Sequence, residues 1–147
     1  MSADSQGVSN LRYALIPRVL IFPVKDTGQI LLLEGALGKK IWAGLWNGVG
    51  GHVEQGETIL GAAKRELYEE SGLSANKLIF CGQVVVDTGQ NRGIIFFVFK
   101  AKRLTGDLVA SAEGKLSWFS LQNALKLNLV EDLYTLLQLV MRQRASG

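Results

Sequence analysis

Three glutamates lie within little more than one turn of a predicted helix, directly after a glycine-rich stretch of the chain. The segment 58–71 predicts a helix that Gly72 ends. Because residues three and four apart share a helix face, Glu66, Glu69 and Glu70 project from about one-third of its circumference. Like charges at this spacing weaken a helix. The cluster is therefore either a solvated helix face or a set of ligands for a divalent cation, which would turn the repulsion into binding.

The glycine-rich stretch before this helix supports the second interpretation. Gly48, Gly50 and Gly51 make the stretch 47–51 too rich in glycine for a regular element, so we expect a loop. Without Cβ atoms the backbone can approach a ligand closely, with carbonyls directed at a cation and amides at phosphates. Mg²⁺ binds hard oxygen ligands and keeps positions for water and substrate phosphates. A glycine loop joined to a carboxylate-bearing helix therefore predicts a site for a metal-bound phosphate.

The rest of the chain predicts an α+β fold in which helices flank a mixed sheet. Apolar and β-branched runs indicate further strands, and an amphipathic pattern indicates a last helix. The strands are expected at 12–25, 30–34, 77–87, 93–101 and 115–119, and the helix at 130–142. Pro17 and Pro23 are expected to confine the first strand to bends or a sheet edge. The turn 26–28 is expected to join this strand to the next one in a hairpin.

Length and composition favour one domain spanning residues 1–147, with residues 1–10 as a loose tail. One cysteine excludes an internal disulfide framework, and one histidine excludes the usual His-rich zinc sites. A net charge of +3 is too mild to indicate nucleic-acid binding, and no apolar run is long enough to span a bilayer. We expect a soluble cytoplasmic protein without membrane or nucleic-acid partners, and an oligomer is compatible with the sequence.

The acidic helix and the glycines before it belong to a longer pattern. From Gly51 to Leu73 the chain has the form G-x5-E-x7-R-E-L-Y-E-E-S-G-L. This stretch resembles the Nudix box, G-x5-E-x7-R-E-U-x-E-E-x-G-U with U an aliphatic residue, at every specified position. The resemblance implies a Nudix hydrolase with a loop-helix-loop box in an α/β/α sandwich. It also implies Mg²⁺ or Mn²⁺ as the cofactor and a small-molecule nucleotide as the substrate.

Carried over by position, the resemblance implies a metal site on the acidic helix. Glu66, Glu69 and Glu70 match the metal ligands of the family, and the backbone carbonyl of Gly50 or Gly51 would join them. In the family, catalysis is attack of a metal-activated water on phosphorus. Glu70 is the first candidate for the general base.

The resemblance implies supporting roles for three further charged residues. Glu57 and Arg65 match the pair that braces the loop of the box against its helix. Glu113 lies in a loop just before the strand that contains Trp118. Related enzymes carry another metal-binding or basic carboxylate in this region, and the alternative for Glu113 is a plain surface residue.

The residues just before the box resemble those of MutT-like enzymes, which hydrolyse nucleoside triphosphates, including oxidised purine nucleotides. The asparagine that matches Asn47 contacts the base edge in those enzymes, and an amide can both donate and accept there. Trp42 and Trp46 could stack on a base, or they could be buried in the core.

A second resemblance to the same enzymes lies near the end of the chain. The stretch 129–132 aligns loosely with a Trp-Pro-Asp-Asp segment whose acids read the base. Here leucine, valine and glutamate replace the first three residues, and these departures leave the preferred base open. Glu131 and Asp132 are therefore either base-reading residues or acids that complement the dipole of the last helix.

The resemblance favours a nucleoside triphosphate pyrophosphohydrolase that releases a monophosphate and pyrophosphate. An ADP-ribose or sugar-nucleotide hydrolase is the alternative within the family, although the proline often found beyond the box in ADP-ribose hydrolases is missing from 86–90. A nucleotide-sensing module without turnover is the alternative outside enzymes. Such sensors usually carry a damaged box or an additional domain, whereas this box is intact.

Overall fold

The computed structural model describes residues 1–9, 11–38, 42–109, 112 and 114–144, which form two β-sheets with helices packed on both sides. The strands are β1 (Ala14–Pro23), β2 (Ile30–Gly35), β3 (Trp46–Asn47), β4 (Val49–His52), β5 (Ser74–Val86), β6 (Arg92–Thr105) and β7 (Gly114–Phe119). The helices are α1 (Ile59–Ser71), α2 (Leu121–Ala124) and α3 (Leu133–Arg142), together with an exposed 3₁₀ helix, Ala3–Gln6, in the expected tail.

The larger sheet has the strand order β4-β1-β6-β5, and the smaller sheet has the order β3-β2-β7. Strands β1 and β6 are parallel, whereas the other neighbours are antiparallel. The predicted α+β class with a mixed sheet is therefore confirmed.

Strand β1 lies in the middle of the larger sheet, so the expectation that its prolines confine it to a bend or an edge is wrong. Residues Arg18–Ile21 pair with β4 on one side and with β6 on the other. Pro17 and Pro23 lie outside this doubly paired stretch. The carbonyl of Pro17 accepts a hydrogen bond from the Val53 N–H at 3.0 Å, so Pro17 faces the β4 side just beyond the last paired residue. Pro17 cannot donate the second hydrogen bond of this pair, and the ladder with β4 ends at Arg18, so the central strand tolerates both prolines because they lie beyond its doubly paired stretch.

The predicted turn after β1 is present, but it carries the chain from one sheet to the other, so the predicted hairpin is reduced to a single antiparallel bridge. The Lys25 N–H donates to the Gln29 carbonyl at 2.9 Å, and the Gly28 N–H donates to the Lys25 carbonyl at 2.8 Å. Val24 and Ile30 then form a bridge, after which β2 pairs with β3 and β7. Strand β2 is buried on both faces, which a two-stranded hairpin on its own would not provide.

The stretch 47–51, expected to be a loop, lies almost entirely in strands β3 and β4. Its glycines serve close packing against β1, since neither Gly48 nor Gly50 has a positive φ. A Cβ on Gly48 would lie 2.8 Å from the Ile21 carbonyl oxygen, and one on Gly50 would overlap the Val19 carbonyl. Glycine therefore allows this edge strand to approach β1 more closely than larger residues would.

Helix α1 forms where the sequence predicts it. The Thr58 side chain caps its first turn by accepting from the Gly61 N–H at 2.9 Å, and Gly72 ends it with φ 81°. Ala63 and Leu67 are buried against the larger sheet. Glu66 and Glu70 lie on the side of α1 that faces β4, whereas Glu69 is exposed.

Helix α3 covers the other face of the larger sheet. It begins at Leu133, three residues later than predicted, and buries Leu133 and Leu137. The buried Lys100 of β6 donates from Nζ to the carbonyls of Met141 at 3.3 Å and Gln143 at 3.0 Å, which ties the end of α3 to the sheet. In the part of the chain that the structure describes, no helix is both long and apolar enough to cross a membrane.

Candidate active site

Strand β4 places a glycine directly against the first glutamate of the acidic cluster. A Cβ on Gly51 would lie 2.5 Å from Cδ and Oε1 of Glu66. The Glu66 side chain is 14% exposed, so its carboxylate is held between α1 and the backbone of β4. Glycine at this position allows the carboxylate and the strand to be in contact.

Arg65 and Glu57 form a two-point ion pair. The Arg65 Nε and Nη2 atoms each lie 2.7 Å from an oxygen of the Glu57 carboxylate. Glu57 also accepts from the Glu54 N–H at 2.8 Å, and Arg65 Nη2 donates to the His52 carbonyl at 3.0 Å. The hydrogen bonds from Arg65 lower the pKa of Glu57 to about 2, and the same bonds raise the pKa of Arg65. These contacts tie the loop 52–57 to α1.

The remaining donor of Arg65 bridges two glutamates of the cluster. Nη1 lies 2.8 Å from Glu66 Oε1 and 3.1 Å from Glu69 Oε2. This contact offsets the repulsion between the two carboxylates. Within the described ranges, no three metal-ligating side chains are close enough to form a ready-made metal site.

Four carboxylates line one open cavity beside β4, which we call the acidic cavity. Its volume is about 420 Å³. Glu70 is oriented by the Gly50 N–H, which donates to Oε1 at 3.1 Å. The lining residues are Glu54, Glu66, Glu69, Glu70, Gly50, Gly51, His52 and Arg18. Hard oxygen donors gathered around one space fit a small divalent cation in chemical type.

A second cavity, of about 490 Å³, lies between the larger sheet and α3, and we call it the apolar cavity. Most of its lining is aliphatic or aromatic, and Asn47, Glu131 and Asp132 are among its polar residues. Backbone hydrogen bonds bring these distant parts of the chain together. The Trp46 N–H donates to the Asn128 carbonyl at 2.9 Å, and the Val130 N–H donates to the Trp46 carbonyl at 3.1 Å. The segment that leads into α3 is thereby fixed beside β3.

Two lining residues of the apolar cavity have strained backbones. Trp42 has φ 63° and Asp132 has φ 70°, in the left-handed region that side chains rarely adopt. Strain of this kind clusters at ligand sites, where the surrounding structure holds it in place. Asp132 occupies the N-cap position of α3 without a side-chain capping bond.

The two tryptophans of this region differ in their surroundings. Trp46 packs edge to face on Phe119, with ring centroids 5.0 Å apart, and it lines neither the acidic cavity nor the apolar cavity. Asn47, its neighbour on β3, lines the apolar cavity. Trp46 and Trp42 are both partly buried, but only Trp42 lines the apolar cavity, and base stacking by either ring stays a prediction.

A residue that sequence reasoning missed, Arg18 of β1, lies where the two cavities approach each other. Its guanidinium carbon lies 5.4 Å from the ring centroid of Trp42 and 5.5 Å from that of Phe96. Burial lowers the pKa of Arg18, while the charges of Glu70 and Glu66 act in the opposite direction. The available signal was an arginine inside an otherwise apolar strand. Glu113, the last expected site residue, lies outside the described residues.

Comparison with known proteins adds a family and named relatives. Residues 14–140 match the family model described as the NUDIX domain. Over 99 residues the chain is 37% identical to the oxidized purine nucleoside triphosphate hydrolase of Danio rerio, a match that covers 67% of this chain and 62% of that protein. The Mus musculus protein of the same name is 40% identical over 91 residues, covering 61% of this chain and 58% of that protein.

These matches span about three-fifths of the length of the two curated relatives. A solved structure, the MutT protein of Bacillus halodurans, has a TM-score of 0.75 at 28% identity. That likeness covers 88% of this chain and 84% of the other.

Proposed function

This chain belongs to the Nudix family, and we propose that it hydrolyses nucleoside triphosphates to a monophosphate and pyrophosphate in a reaction that depends on a divalent metal. The observation that carries the proposal is the placement of the two cavities. The acidic cavity and the apolar cavity lie on either side of a narrow space lined by Arg18, Trp42, Asn47 and Phe96. A nucleotide has the matching arrangement, with an apolar, hydrogen-bonding base at one end and phosphates at the other. The names of the two relatives agree with this substrate class.

Mg²⁺ or Mn²⁺ is the proposed cofactor. Glu66, Glu69 and Glu70 would hold the ion, together with the carbonyl of Gly51. When bound, it would lower the pKa of a bound water and neutralise phosphate charge. Glu66 and Glu69 would then exchange their contact with Arg65 Nη1 for the cation. Nε and Nη2 of Arg65 would keep their bonds to Glu57, so that the loop stays in place during the exchange.

Glu70 is the proposed general base for the attacking water. The Gly50 N–H orients its carboxylate within the acidic cavity. The carboxylate takes a proton as the oxygen of the water attacks phosphorus, and the P–O bond to the leaving pyrophosphate breaks. Glu113 is a second candidate for a catalytic or metal-binding carboxylate.

Asn47, Glu131 and Asp132 are proposed to bind the base. The Gly48 N–H donates to Asn47 Oδ1 at 2.8 Å, which fixes the orientation of the amide and leaves its NH₂ group to donate to a base. The carboxylates of Glu131 and Asp132 would accept hydrogen bonds from the base edge. Aliphatic side chains of β5, β6 and α3 would cover the base faces.

Pyrophosphate release from a panel of substrates tests the proposal. The panel contains the common nucleoside triphosphates, oxidised purine triphosphates and ADP-ribose, each with Mg²⁺ and with EDTA. We expect metal-dependent release of pyrophosphate from at least one triphosphate. Cleavage of ADP-ribose without cleavage of any triphosphate would favour the alternative enzyme, and binding without turnover would favour a sensor.

A further inference from the structure

Arg18 lines the space between the acidic cavity and the apolar cavity. This space, which we call the neck, has a volume of about 90 Å³, and Asn47 and Glu70 lie at its wall together with Arg18. Asn47 also lines the apolar cavity, and Glu70 also lines the acidic cavity. A molecule that extends through the neck from one cavity to the other therefore passes Arg18.

Not every hydrogen-bond donor of the Arg18 side chain has a partner in the described part of the protein. Its Nε atom is buried and has no hydrogen-bond partner in the described part of the chain. Two aromatic rings, those of Trp42 and Phe96, lie against the guanidinium. A buried donor without a partner costs free energy, so stability alone does not explain an arginine here. A ligand that brings an acceptor would remove this cost.

The position of Arg18 indicates which part of a ligand supplies that acceptor. Arg18 lines the neck and the acidic cavity, whereas it is not among the lining residues of the apolar cavity, which include Asn47 and Asp132. A guanidinium presents its N–H groups as a planar fork that matches two oxygens of a phosphate. Glu66 and Glu70 lie on the acidic side, and a metal ion there would take up their charge.

We propose that Arg18 is a substrate-binding residue that holds the phosphate group next to the nucleoside. The proposal rests on the proposed function, because it takes the nucleotide to lie with its base in the apolar cavity. The guanidinium donates to the non-bridging oxygens of that phosphate while the two rings hold its plane. Arg18 thereby fixes the distance between the base and the reacting phosphates, and it contributes the same contact whatever the base.

Binding in the absence of metal tests this assignment without any turnover. The probes are the four deoxynucleoside monophosphates and the corresponding nucleosides, each titrated calorimetrically in EDTA. The proteins are the wild type, Arg18→Met, Arg18→Lys and the control Arg12→Met, which removes an exposed arginine outside the site. Wild type is expected to bind a monophosphate more tightly than its nucleoside. Arg18→Met should lose about tenfold to a hundredfold in monophosphate affinity, by a similar factor for every base bound.

Three further results belong to the same expectation. Nucleoside affinity should not change in Arg18→Met, because the base contacts remain. Arg18→Lys should recover part of the lost affinity, since it keeps the charge without the fork. Arg18→Met should remain folded with a cooperative thermal transition, because the lost attraction to Glu66 and Glu70 offsets the relief of a desolvated charge. A residue with a merely structural role would instead leave the ratio of monophosphate to nucleoside affinity unchanged.

Several outcomes would overturn the assignment. The first is that the wild-type protein binds no monophosphate more tightly than the corresponding nucleoside. The second is that Arg18→Met leaves monophosphate affinity unchanged. The third is that Arg18→Met lowers the affinity for the monophosphate of one base only, which would make Arg18 a base-reading residue. The proposed function fails on a different result: the wild-type protein would release no pyrophosphate from any triphosphate in the presence of Mg²⁺.

Discussion

Glu57 receives two hydrogen bonds of 2.7 Å from Arg65, and this pair holds the loop 52–57 against the acidic helix. Arg65 uses its third nitrogen for Glu66 and Glu69, so one side chain contacts both the loop and the proposed metal ligands. The pair therefore couples the position of the loop to that of the carboxylates. A change at Glu57 should affect stability and metal binding together.

The stability contribution of Glu57 is expected to depend on acid pH. The pKa of Glu57 falls from its ordinary value of 4.5 to about 2 in the folded protein, chiefly through the hydrogen bonds from Arg65. A lowered carboxyl pKa stabilises the fold above the unfolded value, and this stabilisation disappears as the pH falls through the folded value. The difference in unfolding free energy between wild type and Glu57→Gln should therefore shrink between pH 4.5 and about 2. Urea unfolding across this range measures it.

The exposed Asp4→Asn variant serves as the control for this pH series. Its difference from wild type should stay small over the same range, because Asp4 lies in the exposed 3₁₀ helix. A difference for Glu57→Gln that stays constant from pH 6 to about 2 would show that the ion pair does not set the pKa.

Local signals in the sequence predicted the parts of the site that depend on neighbouring residues. Helix α1 was predictable from a capping threonine, a terminal glycine and the spacing of its glutamates. The contact between Glu57 and Arg65 was predictable from the resemblance to the Nudix box. Both residues belong to one short segment, so their contact does not depend on pairing between distant strands. The amphipathic pattern predicted α3, although its first turn begins later because the preceding residues bind to β3.

Features that depend on strand pairing could not be predicted in the same way. The central position of β1 requires β4 and β6 as partners, and neither partner is specified by residues near Pro17. The glycines of 47–51 predicted a loop, but Gly50 lies in a strand and is needed because β1 lies so close. Arg18 gains its position from Phe96 and Trp42, which belong to distant parts of the chain. Only the assembled sheet reveals that its guanidinium lies between two cavities.

Substitution of Gly51 should displace a proposed metal ligand. A Cβ there would lie 2.5 Å from the Glu66 carboxylate, so Gly51→Ala must move that side chain or β4. We expect a loss of about 1–3 kcal/mol in stability from overpacking, together with weaker metal-dependent activity. Gly38→Ala is the matched control, because a Cβ on Gly38 has no atom of the described residues within 4 Å. Equal stability and activity in the two variants would show that Glu66 needs no glycine beneath it.

Substitution of Glu69 should separate catalysis from stability. Its side chain is 56% exposed and makes one contact with Arg65 at 3.1 Å, so Glu69→Gln should change the unfolding free energy by no more than about 0.5 kcal/mol. Removing a metal ligand should nevertheless lower kcat/KM by about a hundredfold or more. Pyrophosphate release and Mg²⁺ titration of the same preparations measure both effects. Near-full activity with unchanged metal affinity would contradict the assignment of Glu69 as a ligand.

Replacement of the Asn47 amide should change base recognition without changing the fold. Asn47→Asp keeps an oxygen for the Gly48 N–H, which lies 2.8 Å from Oδ1, but exchanges the donating NH₂ group for an oxygen. We expect kcat/KM to fall about tenfold to a hundredfold for bases that accept from Asn47, mainly through KM. Asn123→Asp changes an exposed asparagine of α2 in the same way and should leave the substrate preference intact. An equal preference across the panel in wild type and Asn47→Asp would remove Asn47 from the base site, and Asp132 and Glu131 would then have to provide the discrimination.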